Sequence, residues 1–284
     1  MKAFNDIGPV LDNKDLILFV VPSNAARQVA SKVRSFLTNV KNKEKILFCH
    51  AIKGFEKDTK KRISEILIEE LGISSANLAV LSGPSHAEEV ILSKPTATVI
   101  SSTSLTVAKK IQSFFKVNFF RVYTSDDVVG VEISGALKNI LGIAAGLVDG
   151  LKLGNNAKAA LIARGLNEIM RLGLKMGAKL ETFLGLAGVG DIVVTCNSKH
   201  SRNWKAGYML SKGKRIGEIL KNVGMVVEGV KTIQTALALS KEYKVSMPIT
   251  TSLYEVLFLN KDPSKVIFEL MQRDQVEELK SFLN

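Results

Sequence analysis

The 284-residue sequence has few of the features that mark secreted, metal-binding or membrane-spanning proteins. Its only two cysteines, Cys49 and Cys196, lie in apolar contexts without the spacing of metal ligands, so we expect reduced thiols, no metal site and a cytoplasmic location. The two longest uncharged runs, residues 71–87 and 95–108, are interrupted by serines and other polar residues, and neither is an apolar stretch long enough to cross a bilayer. Stable insertion into a membrane is therefore not expected.

Acidic residues are also scarce, because 27 of them stand against 39 lysines and arginines, and the formal net charge is +12. Such a balance favours anionic partners, among them nucleic acids, membrane surfaces and phosphorylated small molecules. The lysines are scattered, however, and Trp204 is the only tryptophan, so no basic stripe interleaved with aromatic residues is present. We interpret the charge mainly as a solvated surface with a bias toward anions, and nucleic acid is not an expected partner.

Short apolar runs alternate with helical patterns over the first 125 residues, which is typical of an α/β protein with a parallel, doubly wound sheet. Strands are predicted at 15–21, 45–50, 78–81, 96–101 and 119–123. Helices are predicted between them at 25–37, 58–71, 86–92 and 106–115. Ser23 or Asn24 is predicted to cap the first of these helices.

After Tyr123 the strand-like runs nearly stop, and an all-α domain is predicted to follow. Its helices are predicted at 126–149, 157–176, 187–195, 202–210, 229–243, 249–258 and 263–270. We place the domain boundary near Ser125, which divides the chain into residues 1–125 and 126–284.

Within the predicted helix 126–149, the stretch 131–149 carries a lysine among small and apolar neighbours. Gly135 lies three residues before Lys138 and Gly142 four residues after it, so both share its helix face. Desolvation on such a face lowers the pKa of the lysine, which could then accept a proton near neutral pH. The alternative is a packing helix whose lysine reaches out to water.

Polar residues follow three of the predicted strands, at positions 22–23, 50–54 and 82–87. Ligands of open α/β sheets bind beyond the carboxyl ends of the strands, so Lys53 is predicted to lie where a ligand would sit. A solvated loop lysine is the alternative for Lys53. The segment Gly83-Pro84-Ser85 reads as a tight turn that caps the next helix, and its free backbone N–H groups could also bind an anion.

The predicted helical domain adds a further set of polar residues. Asp191 stands at a helix end in an apolar neighbourhood, and Arg202 and Asn203 together offer donors suited to phosphate oxygens. Taken singly, Asp191 could be a helix cap and Arg202 part of a surface ion pair.

These residues lie in a series of motifs that resembles the bacterial NAD(P)-dependent glycerol-3-phosphate dehydrogenases. The motifs stand in that family's order and extend over nearly the whole chain from Asp15 onward. They are VVPS (20–23), IKGFE (52–56), SGPSHAE (82–88), GVE (130–132), GALKN (135–139), GVGDIVVTC (188–196), SRN (201–203), VVEG (226–229) and MPI (247–249).

The resemblance implies a Rossmann-like sheet domain followed by a helical substrate domain, with NAD or NADP as cofactor. The implied reaction interconverts dihydroxyacetone phosphate and sn-glycerol 3-phosphate for glycerophospholipid synthesis, so the implied partner is a small phosphorylated substrate. The glycine-rich helices could pack within one subunit or between two, so a homodimer is compatible with the sequence. Related dehydrogenases of hydroxy acids or sugar acids are an alternative, against which the GALKN and SRN segments argue.

By residue match, the resemblance implies that Lys138 is the proton acceptor and that Lys53 and Asp191 are further catalytic residues. Such a lysine would serve both directions of the reaction, and two neighbouring ammonium groups would depress each other's pKa and polarise a carbonyl. The implied substrate contacts are Lys53, Gly83, Ser85, Lys138, Asp191, Ser201, Arg202 and Asn203. The implied cofactor contacts are Lys53, Ala87, Arg202, Val226 and Glu228.

The glycine fingerprint of a Rossmann half, G-x-G-x-x-G between a strand and a helix, does not occur in this sequence. We therefore expect the sheet domain to be incomplete and to lack its first βαβ unit and the residue that selects NAD or NADP. This predicts poor binding of the cofactor and an exposed edge or face of the sheet. A non-catalytic or decayed fragment of such an enzyme is the corresponding alternative.

Overall fold

A five-stranded sheet is formed by the first half of the chain in the computed structural model, which describes residues 2–38, 40, 43–223, 227–275 and 277–278. All five predicted strands are present, and they lie side by side in their order along the chain. The strands are β1 (Leu16–Phe19), β2 (Leu47–His50), β3 (Leu78–Ser82), β4 (Thr96–Ser101) and β5 (Phe120–Ser125). The helices of this half are α1 (Gly8–Leu11), α2 (Ala26–Leu37), α3 (Ile63–Leu71), α4 (Ala87–Ile91) and α5 (Leu105–Phe114).

The sheet is mostly parallel with helices on both faces, as predicted, and only the pairing of β3 with β4 departs from the predicted parallel arrangement. β1, β2 and β3 run parallel, β4 runs antiparallel to β3, and β5 is again parallel to β4. The reason lies in the connections. A parallel pair requires a crossover long enough to return the chain along the sheet, which α2, α3 and α5 provide with 12, 9 and 10 residues. The segment between β3 and β4 contains only the five-residue α4.

Helices cover both faces of the sheet. α2 and α3 pack on the face that holds Phe48, and α5 packs on the face that holds Cys49. β1 pairs with β2 alone among the described strands, and Leu18 and Val20 at this edge are 40% and 67% exposed. The first three strands end at one edge of the sheet, as parallel strands must, and this edge faces the helical half.

The second half of the described chain is helical, as predicted. Its elements are α6 (Val128–Gly150), α7 (Gly154–Lys175), α8 (Leu180–Leu184), a π-helical turn (Leu186–Gly190), α9 (Asp191–Asn197), α10 (Arg202–Leu210), α11 (Ile216–Val223), α12 (Glu228–Glu242), α13 (Pro248–Phe258) and α14 (Pro263–Met271). α8 and α11 were not predicted. The predicted helix at 187–195 is divided into the π-helical turn and α9. β5 ends at Ser125 and α6 begins at Val128, and the division of the chain into two domains there stays a prediction.

The long helix α6 forms the centre of the helical half. The Asp127 carboxylate caps it by accepting a hydrogen bond of 2.8 Å from the Gly130 N–H. By length and composition α6 could cross a membrane, but 89% of its apolar window is buried inside the protein, as in the core helix of a globular domain. Helices α7, α9, α10 and α12 all pack against it.

Close packing of α6 on α10 depends on glycine in both helices. A Cβ added to Gly146 would lie 1.9 Å from the Trp204 carbonyl oxygen, and one added to Gly207 would lie 1.8 Å from the Ile143 carbonyl oxygen. The two backbones therefore approach to a separation that no side chain permits at these two positions.

Candidate active site

Two lysines from different halves of the fold share one buried carboxylate. Lys138 lies in the middle of α6, and its Nζ donates to Asp191 Oδ1 in a short hydrogen bond and to Thr195 Oγ1 at 2.7 Å. Lys53 follows β2, and its Nζ donates to Asp191 Oδ2 at 2.6 Å and to the Gly83 carbonyl oxygen at 3.2 Å. Asp191 is 1% exposed and Lys138 is 7% exposed. The structure thus brings together the three residues for which the family resemblance implies catalytic roles.

Burial and the neighbouring charges set the protonation of this group. Burial lowers the pKa of Lys138, the Asp191 carboxylate raises it, and the Lys53 ammonium lowers it again, with a net pKa of about 8. Burial by itself would raise the pKa of Asp191, but the Lys138 and Lys53 ammonium groups together hold it below its ordinary value. Asp191 is therefore a permanent anion near neutral pH, whereas the Lys138 amine exchanges its proton in that range.

Local backbone features aim these side chains at one another. The π-helical turn before Asp191 is tight, because a Cβ at Gly188 would lie 2.0 Å from the Phe183 carbonyl oxygen. Asp191 then occupies the first position of α9, where the helix dipole favours an anion. On α6, a Cβ at Gly135 would lie 2.9 Å from Ser82 Oγ, and one at Gly142 would lie 2.9 Å from Thr195 Cγ2. These two glycines let β3 and α9 approach on either side of Lys138.

The Gly83-Pro84-Ser85 segment lies beside Lys53 at the carboxyl end of β3. Gly83 has φ of +132°, and a Cβ there would lie 3.0 Å from Thr98 Cα, so the position requires glycine. Ser85 Oγ donates to the Gly83 carbonyl oxygen at 3.1 Å. Ser85 and Ala87 are exposed, so both lie at the surface of this edge.

The Ser201-Arg202-Asn203 segment packs on α6 about one turn beyond Lys138. A Cβ at Gly142 would lie 3.0 Å from Asn203 Cβ and 3.7 Å from Ser201 Oγ. Ser201 caps α10 by accepting from the Trp204 N–H at 3.3 Å. Arg202 is exposed in the first turn of α10.

Both the nitrogen and the oxygen of the Asn203 amide are hydrogen-bonded inside the protein. Its Nδ2 donates to Asn139 Oδ1 at 2.9 Å, and its Oδ1 accepts from the Gly229 N–H at 3.0 Å. Asn203 therefore ties α6, α10 and α12 together. The next residue, Trp204, donates its indole N–H to Asp149 Oδ2 at 2.7 Å and stacks on Tyr208.

Glu228 lies apart from the lysine pair, at the start of α12 and the carboxyl end of β1. Its carboxylate accepts from Ser23 Oγ at 2.8 Å and from the Ser23 N–H at 3.4 Å. The expected cap of α2 by Ser23 or Asn24 is therefore wrong, because no side chain caps this helix and the Ser23 hydroxyl is directed to Glu228. Val226, the other expected cofactor contact of this segment, lies outside the described residues.

Two residues next to Lys138 were given no role by sequence reasoning. The Thr195 hydroxyl accepts a hydrogen bond from the Lys138 ammonium. Thr195 lies four residues after Asp191 on the same helix face, and this spacing was the signal that could have identified it. His86 is half-buried near Lys138. The pKa of His86 is lowered mainly by burial and to a smaller extent by the Lys138 charge.

The fold and this site together define a dehydrogenase in which the strand ends of a Rossmann-like sheet face a helical half that carries a buried lysine. The family models of the NAD-dependent glycerol-3-phosphate dehydrogenase N-terminus and C-terminus match residues 1–108 and 127–268. The chain belongs to the NAD-dependent glycerol-3-phosphate dehydrogenase family.

Individual relatives agree with the family models. A glycerol-3-phosphate dehydrogenase [NAD(P)+] of Geobacillus kaustophilus is 50% identical over 283 residues, which cover 99% of this chain and 81% of the relative. The crystal structure of glycerol-3-phosphate dehydrogenase from Coxiella burnetii is 38% identical with a TM-score of 0.89, over 96% of this chain and 81% of that one. D-mandelate dehydrogenase, at 11% identity and a TM-score of 0.52 over 87% of this chain and 78% of that one, shares the fold alone.

Proposed function

We propose that this chain interconverts dihydroxyacetone phosphate and sn-glycerol 3-phosphate with NAD or NADP as cofactor. The observation that carries the proposal is the Lys53–Asp191–Lys138 group, in which Asp191 and Lys138 are buried and Lys53 is partly exposed, at the strand-end edge of a chain from this family. Oxidation of a secondary alcohol needs a base at the hydroxyl, and reduction of the ketone needs the conjugate acid. A lysine with a pKa of about 8 serves in both directions.

Lys138, Lys53 and Asp191 each have a distinct role in this reaction. The neutral Lys138 amine takes the proton of the substrate hydroxyl during oxidation, and the ammonium returns it during reduction. The Lys53 ammonium polarises the carbonyl oxygen, and Asp191 orients both lysines while balancing their charge. The bound nicotinamide supplies or accepts the hydride.

We assign the phosphate end of the substrate to Arg202, with Ser201 and Asn203. A planar guanidinium matches phosphate oxygens in a bidentate manner, and the start of α10 adds the favourable end of a helix dipole. Asn203 acts mainly by holding this segment on α6, because both ends of its amide are already hydrogen-bonded. Gly83 and Ser85 border the substrate from the sheet side.

The residues at the strand ends fit a nicotinamide nucleotide. Glu228 and Ser23 place a carboxylate and a hydroxyl beside the end of β1, which suits the hydroxyl and amide groups of such a ligand. We assign Glu228 and Val226 to the cofactor, together with Lys53, Ala87 and Arg202. Poor binding of the cofactor stays a prediction, which calorimetry with NADH and NADPH tests.

Three further assignments belong to this proposal. They are a role in glycerophospholipid synthesis, for which sn-glycerol 3-phosphate provides the backbone, a cytoplasmic location, and a homodimer. The burial of the apolar helix α6 argues only against a membrane span by this helix. Light scattering coupled to gel filtration tests the third.

The deciding experiment follows NADH and NADPH oxidation with dihydroxyacetone phosphate, and with 2-keto acids as comparison substrates. We expect turnover with dihydroxyacetone phosphate alone and its loss in Lys138→Ala. Lys158→Ala is the matched control, because Lys158 is also partly buried and paired, to Asp149 at 2.7 Å, but does not reach Asp191. Unchanged turnover in Lys138→Ala, or a preference for a 2-keto acid, would overturn the proposal.

A further inference from the structure

A second buried charge cluster joins the two halves of the fold and has no part in the roles given above. The Glu132 carboxylate, on α6, accepts from the Ser64 N–H at 2.7 Å and from Ser64 Oγ at 2.6 Å. It also accepts from Arg62 Nη1 at 2.7 Å, and it lies 3.3 Å from His50 Nε2. Glu132 is 5% exposed and His50 is fully buried. A buried carboxylate with this many donors is strongly localised.

The cluster is connected to the active site by a row of neighbouring positions on α6. Glu132, Gly135 and Lys138 follow one another at intervals of three residues, so each is adjacent to the next, and the row winds around the helix by about 120° from Glu132 to Lys138. On the other side, His50 is the last residue of β2, and Lys53 comes three residues later.

Each of these α6 positions meets a different part of the segment 50–53. Glu132 meets His50 at its start. The Lys53 Cγ and Cδ atoms lie 3.6 Å and 3.8 Å from where a Cβ of Gly135 would stand. The Lys53 tip meets Lys138 through Asp191. The segment therefore runs along α6 and is held at both ends.

We propose that Glu132 is a positioning residue that acts through His50 to fix the segment carrying Lys53 against α6. It thereby sets how closely Lys53 and Lys138 approach Asp191. The inference rests on the roles proposed for these two lysines. Glu132 itself does not touch the substrate, because the side chains of Arg62, Ser64 and His50 surround its carboxylate.

The proposal predicts a shift in the pKa of Lys138 whose direction is opposite to that of a simple charge effect. Glu132 lies six residues from Lys138, about 9 Å along the helix axis. Removing its negative charge disfavours the Lys138 ammonium and by itself lowers the pKa of Lys138. If Glu132 holds Lys53 in place, its loss lets the Lys53 ammonium move away, and the pKa of Lys138 rises instead. Without a positioning role, the loss of Glu132 leaves the pKa of Lys138 unchanged or lowers it through the charge effect alone.

The test is a pH titration of the Lys138 ε-carbon resonance by NMR in protein labelled with ¹³C-lysine, with the resonance assigned through Lys138→Arg. In Glu132→Gln we expect the pKa of Lys138 to rise by roughly half a unit or more. Glu168→Gln is the matched control, because Glu168 is also a buried carboxylate, bonded to the Ile249 and Thr250 N–H groups far along the chain from Lys53. It should leave the pKa of Lys138 unchanged.

A second variant, His50→Phe, keeps Glu132 and a ring of similar size but removes the contact to Glu132, and it should raise the pKa of Lys138 in the same direction. An unchanged or lowered pKa in both variants overturns the positioning role. The titration needs no turnover, so it is independent of the Lys138→Ala experiment. Retained activity in Lys138→Ala would refute the assigned chemistry, whereas an unshifted titration would refute only the role of Glu132.

Discussion

At the scale of single residues, the position of the Lys138 amine determines how the reaction should respond to pH. Oxidation of the alcohol requires the neutral amine, whose fraction grows as pH rises through a pKa of about 8. Reduction of the ketone requires the ammonium, whose fraction falls over the same interval. We expect kcat for oxidation to rise, and kcat for reduction to fall, around pH 8. Initial rates measured in both directions across this range check the prediction, and parallel profiles in the two directions would contradict it.

Thr195 should be a second residue on which the rate depends, because its hydroxyl accepts a buried hydrogen bond from the Lys138 ammonium. Thr195→Val preserves the shape of the side chain but leaves one ammonium hydrogen without its acceptor, at a cost of about 1–3 kcal/mol. We expect kcat to fall by roughly tenfold, with a smaller change in KM.

The matched control for Thr195→Val is Thr251→Val. The Thr251 hydroxyl donates to the carbonyl oxygen of Met247, the residue before α13, and this bond has no link to Lys138. Steady-state kinetics of the two variants should differ in kcat. Equal kcat values in both would show that the Thr195 hydroxyl is dispensable.

The two lysines could be predicted from the sequence, because a charged residue among glycines and a lysine directly after a buried strand are both unusual. The contacts that join them into one site could not be predicted. Nothing local in the sequence shows that Asp191 lies between Lys53 and Lys138, since these residues meet only after the sheet and the helices have packed. For the same reason, the contact from Ser23 to Glu228 replaced the helix cap that short-range reasoning assigned to Ser23.

At the scale of secondary-structure elements, the crossing of α6 and α10 should be intolerant of any added side-chain volume. Gly146→Ala would place a methyl group 1.9 Å from the Trp204 carbonyl oxygen. The backbone cannot move aside without separating the helices, so we expect a loss of about 1–3 kcal/mol in the free energy of unfolding. Urea denaturation followed by circular dichroism measures this loss.

Gly217→Ala in α11 is the control for that substitution, because a Cβ there meets nothing within 4 Å. Alanine has the higher helix propensity, so the free energy of unfolding should stay the same or rise by up to about 1 kcal/mol. Similar losses in the two variants would mean that close packing at Gly146 contributes little.

Elements with strong local signals were predicted, and those that depend on distant partners were missed. The strand at 96–101 and the helix at 202–210 have their predicted bounds, because apolar period and flanking polar residues agree there. The direction of β4 was wrong, since the apolar pattern of a strand is the same in either direction. α8 and the π-helical turn escaped because their bounds depend on how Gly188 packs against Phe183.

At the scale of the whole molecule, the junction between the two halves should make the fold sensitive to acid. Burial alone would raise the pKa of Glu132, but His50, Arg62 and Ser64 lower it to about 2, against an ordinary value of 4.5. Its stabilising contribution is present above about pH 4.5 and is lost as pH falls toward 2. A difference of this size corresponds to on the order of 3 kcal/mol in the free energy of unfolding.

Unfolding measured at a series of acidic pH values tests this contribution. The wild-type curve should decline as pH falls below 4.5, and the curve of Glu132→Gln should decline less steeply, because that variant has no carboxyl group to protonate at this position. Glu44→Gln removes an exposed carboxylate and should follow the wild type. Equal slopes for all three proteins would place the acid sensitivity elsewhere.

The position of Trp204 gives this protein a built-in optical signal. It is the only tryptophan of the sequence, it follows Arg202 and Asn203 directly, and its indole is fixed between Asp149 and Tyr208. Tryptophan emission from the unlabelled chain, excited at wavelengths that tyrosine does not absorb, thus originates at a single point beside the proposed phosphate end. Arrival of an anionic ligand there can be followed as a change in emission intensity on the stopped-flow timescale, separately from the absorbance of reduced nicotinamide. Ligand binding, followed by tryptophan emission, and hydride transfer, followed by nicotinamide absorbance, can then be measured in the same sample.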